Sequence, residues 1–237
     1  HLRKLSADSG YRYGCGEFVC EGRKFLAEAL GAGAEISSIL WKEGEAYEVP
    51  GIGAQYEAVP GLYDYTSFSE NSKGPLFTVR MKEEKILGDI PNAVILESVQ
   101  DPGNLGTVIR TAAALGIGAV VMTGACADLY NPKTVKATMG AIFRQNVLKL
   151  EIGQIAAFAE THSLALCAAA LSDDAETLGE TGLGRTAVCI GNEGNGLSDE
   201  LLGICRRKIT IPMQPGNESL NASVAACVFM WEMRKNG

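Results

Sequence analysis

The alternation of apolar and polar residues divides the 237-residue chain into two stretches of different character. Up to about residue 82 the pattern is short and often interrupted. Glu17 to Cys20 reads as a strand, Arg23 to Leu30 as a helix and Ser38 to Trp41 as a second strand. A stretch punctuated by glycine and proline follows, with a helix near 62–70 and a strand near Leu76–Arg80. The opening "HLRKL" has the look of a helix interior. From Ala93 onward the alternation strengthens: "AVILES" (93–98), "AVVMTG" (119–124), "LALCAAA" (164–170), "AVCIG" (187–191) and "KITIPM" (208–213) read as strands. Helices are expected at 104–116, 132–140, 153–161 and 198–205, and a last one from Ser219 to Lys235 carries Leu220, Val224, Cys227, Val228 and Trp231 at helical spacing. Near-continuous apolar strands between helices predict a parallel sheet covered on both faces. Ligands of such sheets gather at the carboxyl ends of the strands.

Between the two stretches lies "EEKILGDIPN" (83–92), charged and carrying Gly88 and Pro91, which makes it the natural boundary. The expected domains are therefore 1–86 and 87–237. A composition of 46% hydrophobic and 21% charged residues implies a folded chain with a real core. No apolar run reaches the roughly 20 residues of a membrane span. The net charge of −7 points away from a broadly basic nucleic-acid surface and, taken alone, towards a metabolite enzyme; it leaves room for a local basic patch. Seven cysteines form no C-x-x-C pair and several sit inside apolar runs, as expected in a reducing cytoplasm. His1 and His162 are the only histidines, and neither lies in a ligand or triad pattern, which argues against zinc and Ser-His-Asp chemistry.

Three strand ends carry candidate chemistry. In "DPGNLGTVIRTAA", Asn104 reads as a helix N-cap, and Arg110 is the only charged residue between Asp101 and Asp128. Such an arginine either pairs with a carboxylate at the helix edge or meets an anion. "CIGNEGNGLSDELL" (189–202) has glycines at 191, 194 and 196 but matches neither the Walker loop nor the dinucleotide fingerprint, and Glu193 would repel a phosphate. Its glycines could simply supply positive φ before a helix capped by Ser198. In "IPMQPGNESLNASVAACVFMWEM", Ser219 or Asn217 reads as the N-cap, which would leave Asn221 inside the first turn, where asparagine has no structural advantage; two polar side chains beside a buried strand end suggest a site.

Taken together, "DPGNLGTVIRTAAALG", "IGNEGNGLSDEL" and "IPMQPGNESLNASVAA" resemble the three motifs of the SpoU, or TrmH, family of RNA ribose 2'-O-methyltransferases, in the right order and spacing, with the likeness dense over 93–235. Residues 17–86, beginning "GEFVCEGRKFLAEAL", resemble the substrate-binding domain that many members carry, which is similar to an RNA-binding ribosomal-protein fold. The resemblance implies an α/β protein whose C-terminal parallel-sheet domain holds a deep trefoil knot of the SPOUT kind, preceded by a small α/β RNA-binding domain.

It further implies that S-adenosylmethionine binds to backbone groups of Gly191, Ile211 and Leu220, with Thr123, Met213 and Glu193 lining the pocket. A carboxylate is tolerable there, because this ligand has no phosphate and carries a positive sulfonium. Arg110 would orient the attacking 2'-hydroxyl and stabilise developing alkoxide charge, since a free guanidinium is a poor base. Asn104 and Asn221 would fix the substrate and the loops, and Ser219 with Glu193 would complete the polar shell. The family's active site forms across a homodimer, which would bring Arg110 beside the partner's cofactor. Arg23, Lys24, Lys133, Lys136 and Arg144 are candidate RNA contacts, as are the basic positions 206–208, although each alone is more often a solvated charge. Lys136 and Thr138 stand where family members often show arginine and serine, and lysine cannot grip a phosphate bidentately. The extra N-terminal domain favours ribosomal RNA over tRNA as substrate. A noncatalytic RNA-binding protein of the same fold and a metabolite-binding α/β enzyme are the competing readings.

Overall fold

The computed structural model describes residues 1–69, 74–82, 86, 88–172, 174–192, 194–214, 216 and 219–235. In its first part the chain forms α1 (Leu2–Ala7), α2 (Ser9–Cys15), β1 (Glu17–Glu21), α3 (Arg23–Gly31), β2 (Ile36–Lys42), β3 (Gln55–Ala58), α4 (Pro60–Thr66) and β4 (Leu76–Arg80). It continues with β5 (Ala93–Glu97), α5 (Pro102–Leu115), β6 (Ala119–Thr123), α6 (Pro132–Thr138), a 3-10 turn (Ala141–Phe143) and β7 (Val147–Lys149). The remainder is α7 (Ile152–Thr161), β8 (Ala165–Ala169), β9 (Glu176–Thr177), β10 (Thr186–Ile190), α8 (Asp199–Ile204), β11 (Arg207–Thr210) and α9 (Ala222–Lys235).

Two compact units result, one made of His1–Glu83 and Asp128–Arg144, the other of Glu84–Ala127 and Gln145–Gly237. The first holds a four-stranded sheet in the order β1-β4-β2-β3, in which β4 runs antiparallel to both neighbours and β3 joins β2 in parallel. Strand periodicity sends Phe18, Cys20, Ile39, Phe77 and Val79 to one face, where they pack on Phe25, Leu26 and Ala29 of α3. Val135, Ile142 and Phe143 complete that core from the 128–144 segment, which sequence reading had placed in the second domain. The segment is also held by the buried Arg12: its guanidinium donates to the Asp128 carboxylate and, at 2.6 Å, to the carbonyl of Leu5. Removing the Asp128 carboxylate would leave the buried guanidinium without its charge partner, the costly way to break such a pair. The hydroxyl of Tyr13 donates to Asp128 at 2.9 Å, and burial together with that carboxylate pushes its pKa up.

The second unit is built on seven strands, all parallel, in the order β7-β6-β5-β10-β8-β11-β9. From β5 the chain builds outward through β6 to β7, then crosses to the other side, so the topological switch point falls between β5 and β10. Ile95, Val121, Leu166, Ala187 and Cys189 pack against Ile155, Phe158 and Ala159 of α7 and Leu201 of α8. The other face is covered by α9, which packs on α5 and on β10. Asp101 caps α5, its carboxylate accepting the N–H of Asn104 at 2.7 Å, and Pro102 follows at the position where a missing N–H costs nothing. Three strands escape the sequence pattern: β3 lies in the glycine- and proline-rich stretch, and β7 and β9, of three and two residues, are too short to show alternation. Among the described residues no helix is long and apolar enough to cross a membrane.

Candidate active site

The glycine loop after β10 is a compact bridged turn. Asn192 donates its N–H to the carbonyl of Gly196 at 3.1 Å and accepts from the Gly196 N–H at 2.8 Å. Its side chain accepts from the N–H of Gly194 at 2.8 Å and donates to the carbonyl of Ser98 at 3.0 Å. A Cβ on Gly191 would lie 2.2 Å from the Gly196 carbonyl carbon and 2.5 Å from the Leu197 nitrogen, so only glycine fits there. Gly196 itself takes φ +66°, in the left-handed region. The far end of the loop is clamped by Glu97, buried at the end of β5, whose carboxylate accepts the N–H of Ser198 at 2.8 Å and its hydroxyl at 2.6 Å. The Ser198 oxygen in turn accepts the N–H of Leu201 at 3.2 Å, and so caps α8 as its sequence position suggests.

A second constrained turn follows β5. Ser98 adopts φ 55°, donates its N–H to the Thr123 carbonyl at 3.0 Å and accepts the Ala125 N–H on its hydroxyl at 3.2 Å. The hydroxyl of Thr123 is buried and meets no partner among the described residues.

At the carboxyl ends of β8, β10 and β11 the sheet opens into a cleft of about 410 Å³. Ile190, Leu197, Ile209 and Phe229 make its walls, and Asn192, Asn195, Thr210 and Ser219 supply polar atoms. Of the residues singled out in the sequence, Gly191, Ile211, Met213, Ser219 and Leu220 line it. Thr123 does not; it ends β6, which is separated from β10 by β5. Glu193 lies outside the described residues. Past Thr210 the chain leaves the sheet ladder, and among the described residues no main-chain group pairs with the peptides of Ile211, Met213, Ser219 or Leu220. A cleft of this size, mostly apolar and edged by peptide groups that lie outside the sheet ladder, suits a planar aromatic ligand that is recognised through the backbone.

The starts of α5 and α9 correct two expectations. Asn104 is not the cap of its helix, a role taken by Asp101, and its side chain is thereby released from capping. Asn221 is not inside a helical turn: α9 begins at Ala222, and the Asn221 side-chain oxygen accepts the N–H groups of Ser223 at 3.0 Å and Val224 at 3.4 Å, while its carbonyl accepts from Ala225. It is therefore the N-cap. Ser223, which sequence reading passed over as one more small helical residue, is nearly buried, and its hydroxyl lies 2.7 Å from Asn221 Oδ1 and 3.1 Å from the side-chain amide of Asn104. Arg110 is exposed on the outer stripe of α5 that it shares with Gly103, Thr107 and Ala114. Among the described residues no carboxylate pairs with it, so the surface-pair reading finds no partner there.

The five basic candidates, Arg23 and Lys24 on one side and Lys133, Lys136 and Arg144 on the other in sequence, all belong to the first unit. Lys24 and Lys133 are exposed. Lys136 donates to the Ser69 hydroxyl at 3.3 Å. Arg144 pairs with Glu28, and Arg23 reaches Glu45 at 3.4 Å, which partly offsets their charge. In the second unit Arg207 and Lys208 are paired with Glu176 and Asp174. The hydrogen bond from Arg207 holds the Glu176 carboxyl down at about 2.

Fold and cleft together define an α/β protein that binds a small, largely apolar-faced ligand beside a topological switch point. Comparison with known proteins gives that class its family. The SpoU rRNA Methylase family model matches residues 91–231, and the chain belongs to this family. It is 29% identical to the 23S rRNA (guanosine(2553)-2'-O)-methyltransferase RlmP of Bacillus subtilis, over 92% of this chain and 88% of that protein. It is 31% identical to a protein of Synechocystis named as an uncharacterized tRNA/rRNA methyltransferase, over 99% of this chain and 89% of that one. The SpoU methyltransferase AviRb of Streptomyces viridochromogenes, solved in complex with AdoMet, superposes with a TM-score of 0.87 over 99% of this chain and 95% of that one; at 23% identity the likeness shows the fold alone.

Proposed function

We propose that the chain methylates a ribose 2'-hydroxyl of RNA, using S-adenosylmethionine as donor, and that ribosomal RNA is its substrate. The observation that carries this reading is the meeting of Gly191, Ile211, Met213, Ser219 and Leu220, drawn from two separate motifs, around one cleft at the strand ends. When bound, S-adenosylmethionine supplies a methyl group on a positive sulfonium. The main-chain groups that follow β11 and the apolar walls of the cleft would hold it. Asn104 and Asn221, brought together through Ser223, position the ribose hydroxyl in line with the methyl group. Arg110 stabilises charge that develops on the attacking oxygen; a guanidinium serves poorly as the base, so the proton passes to an RNA phosphate or another group.

The remaining parts of the reading follow the family. Arg23, Lys24, Lys133, Lys136 and Arg144 give the first unit a face for the RNA backbone, with Lys24 and Lys133 least committed to neighbours. The exposed stripe Val224, Val228 and Trp231 on α9 is covered by a second copy of the chain in a homodimer. The C-terminal segment is threaded as a trefoil knot. Seven free cysteines suit a cytoplasmic location. tRNA is the second reading, favoured by the double name of the Synechocystis relative. Incubation with methyl-labelled donor and purified rRNA or tRNA distinguishes them: label in 2'-O-methylribose of rRNA supports the proposal, and no label in any RNA overturns it.

A further inference from the structure

Beyond that reading, and resting on it only for what the cleft binds, we propose that Cys205 and Cys189 form an oxidation site, at which a hydroperoxide converts the two thiols to a disulfide that draws α8 towards β10 and weakens donor binding. The two sulfurs lie 3.7 Å apart, within hydrogen-bond reach. Cys189 is wholly buried in β10, and Cys205 is part-exposed where α8 ends. Among the described residues no other two thiols stand so close to one another. Cys167, on the neighbouring strand β8, is in register with Val188 and so faces the opposite side of the sheet from Cys189.

Exposure and acidity divide the roles. A surface cleft of about 580 Å³ opens beside the end of α8 and is lined by Ile204 and Arg206, the residues on either side of Cys205, so a small oxidant reaches Cys205 first. The hydrogen bond with Cys189 holds the Cys205 thiol below its usual pKa, against burial and the nearby Glu97 carboxylate, whereas the same contact and then burial push Cys189 up. Thiolate is the reactive form. The Cys205 thiolate attacks one oxygen of hydrogen peroxide, the O–O bond breaks and hydroxide leaves, which gives a sulfenic acid. The Cys189 sulfur then attacks the Cys205 sulfur, the S–O bond breaks, and the Cys189 proton departs with that oxygen as water. With the first hydroxide protonated by solvent, two thiols and one peroxide become one disulfide and two waters; sulfur is oxidised and the peroxide oxygens are reduced.

The chain between the two cysteines gives the bond its effect. Residues 190–204 hold the glycine loop and α8, and Ile190, Gly191, Leu197 and Leu202 of that stretch line the donor cleft. Closing 3.7 Å to the roughly 2 Å of a disulfide moves the end of α8 relative to β10. The loop has no slack to absorb the movement, for a Cβ on Gly191 would already meet the Gly196 carbonyl carbon at 2.2 Å, and Ser198 is tied to Glu97. The displacement therefore reaches the cleft wall at Leu202, one helical turn before Cys205.

The test begins with the parent protein and needs no variant for its first step. Reduced protein is treated with hydrogen peroxide, its remaining thiols are blocked, and its peptides are analysed by mass spectrometry. A peptide joining Cys189 to Cys205, lost on treatment with dithiothreitol, is the expected product. Cys205 oxidised to sulfinic acid without a link to Cys189, or a link to Cys167 in its place, would overturn the site. By calorimetry, oxidation should weaken S-adenosylmethionine binding on the order of tenfold and reduction should restore it. Cys205→Ser should form no such peptide and bind the donor equally before and after peroxide. A link between Cys189 and Cys205 with unchanged donor affinity would overturn the effect on the cleft. A protein that forms the link yet binds no S-adenosylmethionine when reduced would instead refute the methyltransferase reading and leave the oxidation site standing.

Discussion

Arg110 and Glu97 show what single residues contribute. The arginine has no carboxylate partner among the described residues and stands exposed on α5, so nothing in the fold requires its charge. Arg110→Ala is expected to keep donor affinity within a few-fold and to abolish methyl transfer, as calorimetry and single-turnover assays would show; weak donor binding would place Arg110 in the cofactor shell instead. Glu97 works through the loop. Ser198 offers it two donors, and a carboxylate has an oxygen for each, whereas a glutamine would set an NH2 against one of them. Glu97→Gln should therefore lose on the order of 1.5–3 kcal/mol in urea denaturation, the scale of a hydrogen bond to a charged group, and should weaken donor binding along with it. Motif reading reached Arg110 because a lone charge in an apolar helix is conspicuous. It missed Glu97 because a glutamate at the end of a buried strand carries no mark of the serine it meets 101 residues later.

At the scale of elements, the long periodic segments were legible and the short ones were not. The strand at 93–97 and the helices at 102–115 and 152–161 lie within two residues of their expected ends, because their apolar repeats persist for several turns or a full strand. The start of α9 moved from Ser219 to Ala222, since a serine and an asparagine two apart are equally good caps by type and only their hydrogen bonds decide. The attachment of 128–144 to the first sheet was invisible: α6 follows β6 as any crossover helix would, and its partners Phe18 and Phe25 lie more than 100 residues upstream. β9, of two residues, depends on charge more than on length. Its Glu176 carboxyl is held below its ordinary value of 4.5, at about 2, by the hydrogen bond from Arg207. A depressed folded-state pKa gives stability that is present above 4.5 and is lost as the pH falls towards 2. Amide exchange of β9 should accordingly speed up through that window in the parent protein, and a Glu176→Gln variant should show no such pH dependence.

At the scale of the whole molecule, charge and shape pull in different directions. A net charge of −7 suggests a chain that shuns polyanions, yet the five basic candidates from positions 23 to 144 fall in one compact unit. Lys24→Glu combined with Lys133→Glu should weaken RNA binding and flatten its dependence on salt, without altering donor affinity, if that unit carries the RNA. If a second copy covers the exposed Val224, Val228 and Trp231 stripe, as proposed above, Trp231→Glu is expected to give a monomer in light scattering with loss of turnover. Sequence motifs carried the family well, since glycine turns and caps are local; they carried less about how those motifs meet, for Thr123 lies apart from the cleft that Gly191, Ile211 and Leu220 line. The most direct test of the account is transfer of labelled methyl groups from S-adenosylmethionine to purified ribosomal RNA, followed by mapping of the modified sugar. The expected result is a single 2'-O-methylated nucleotide formed by the parent protein and absent with Arg110→Ala. Transfer to a base, or to no RNA at all, would contradict it.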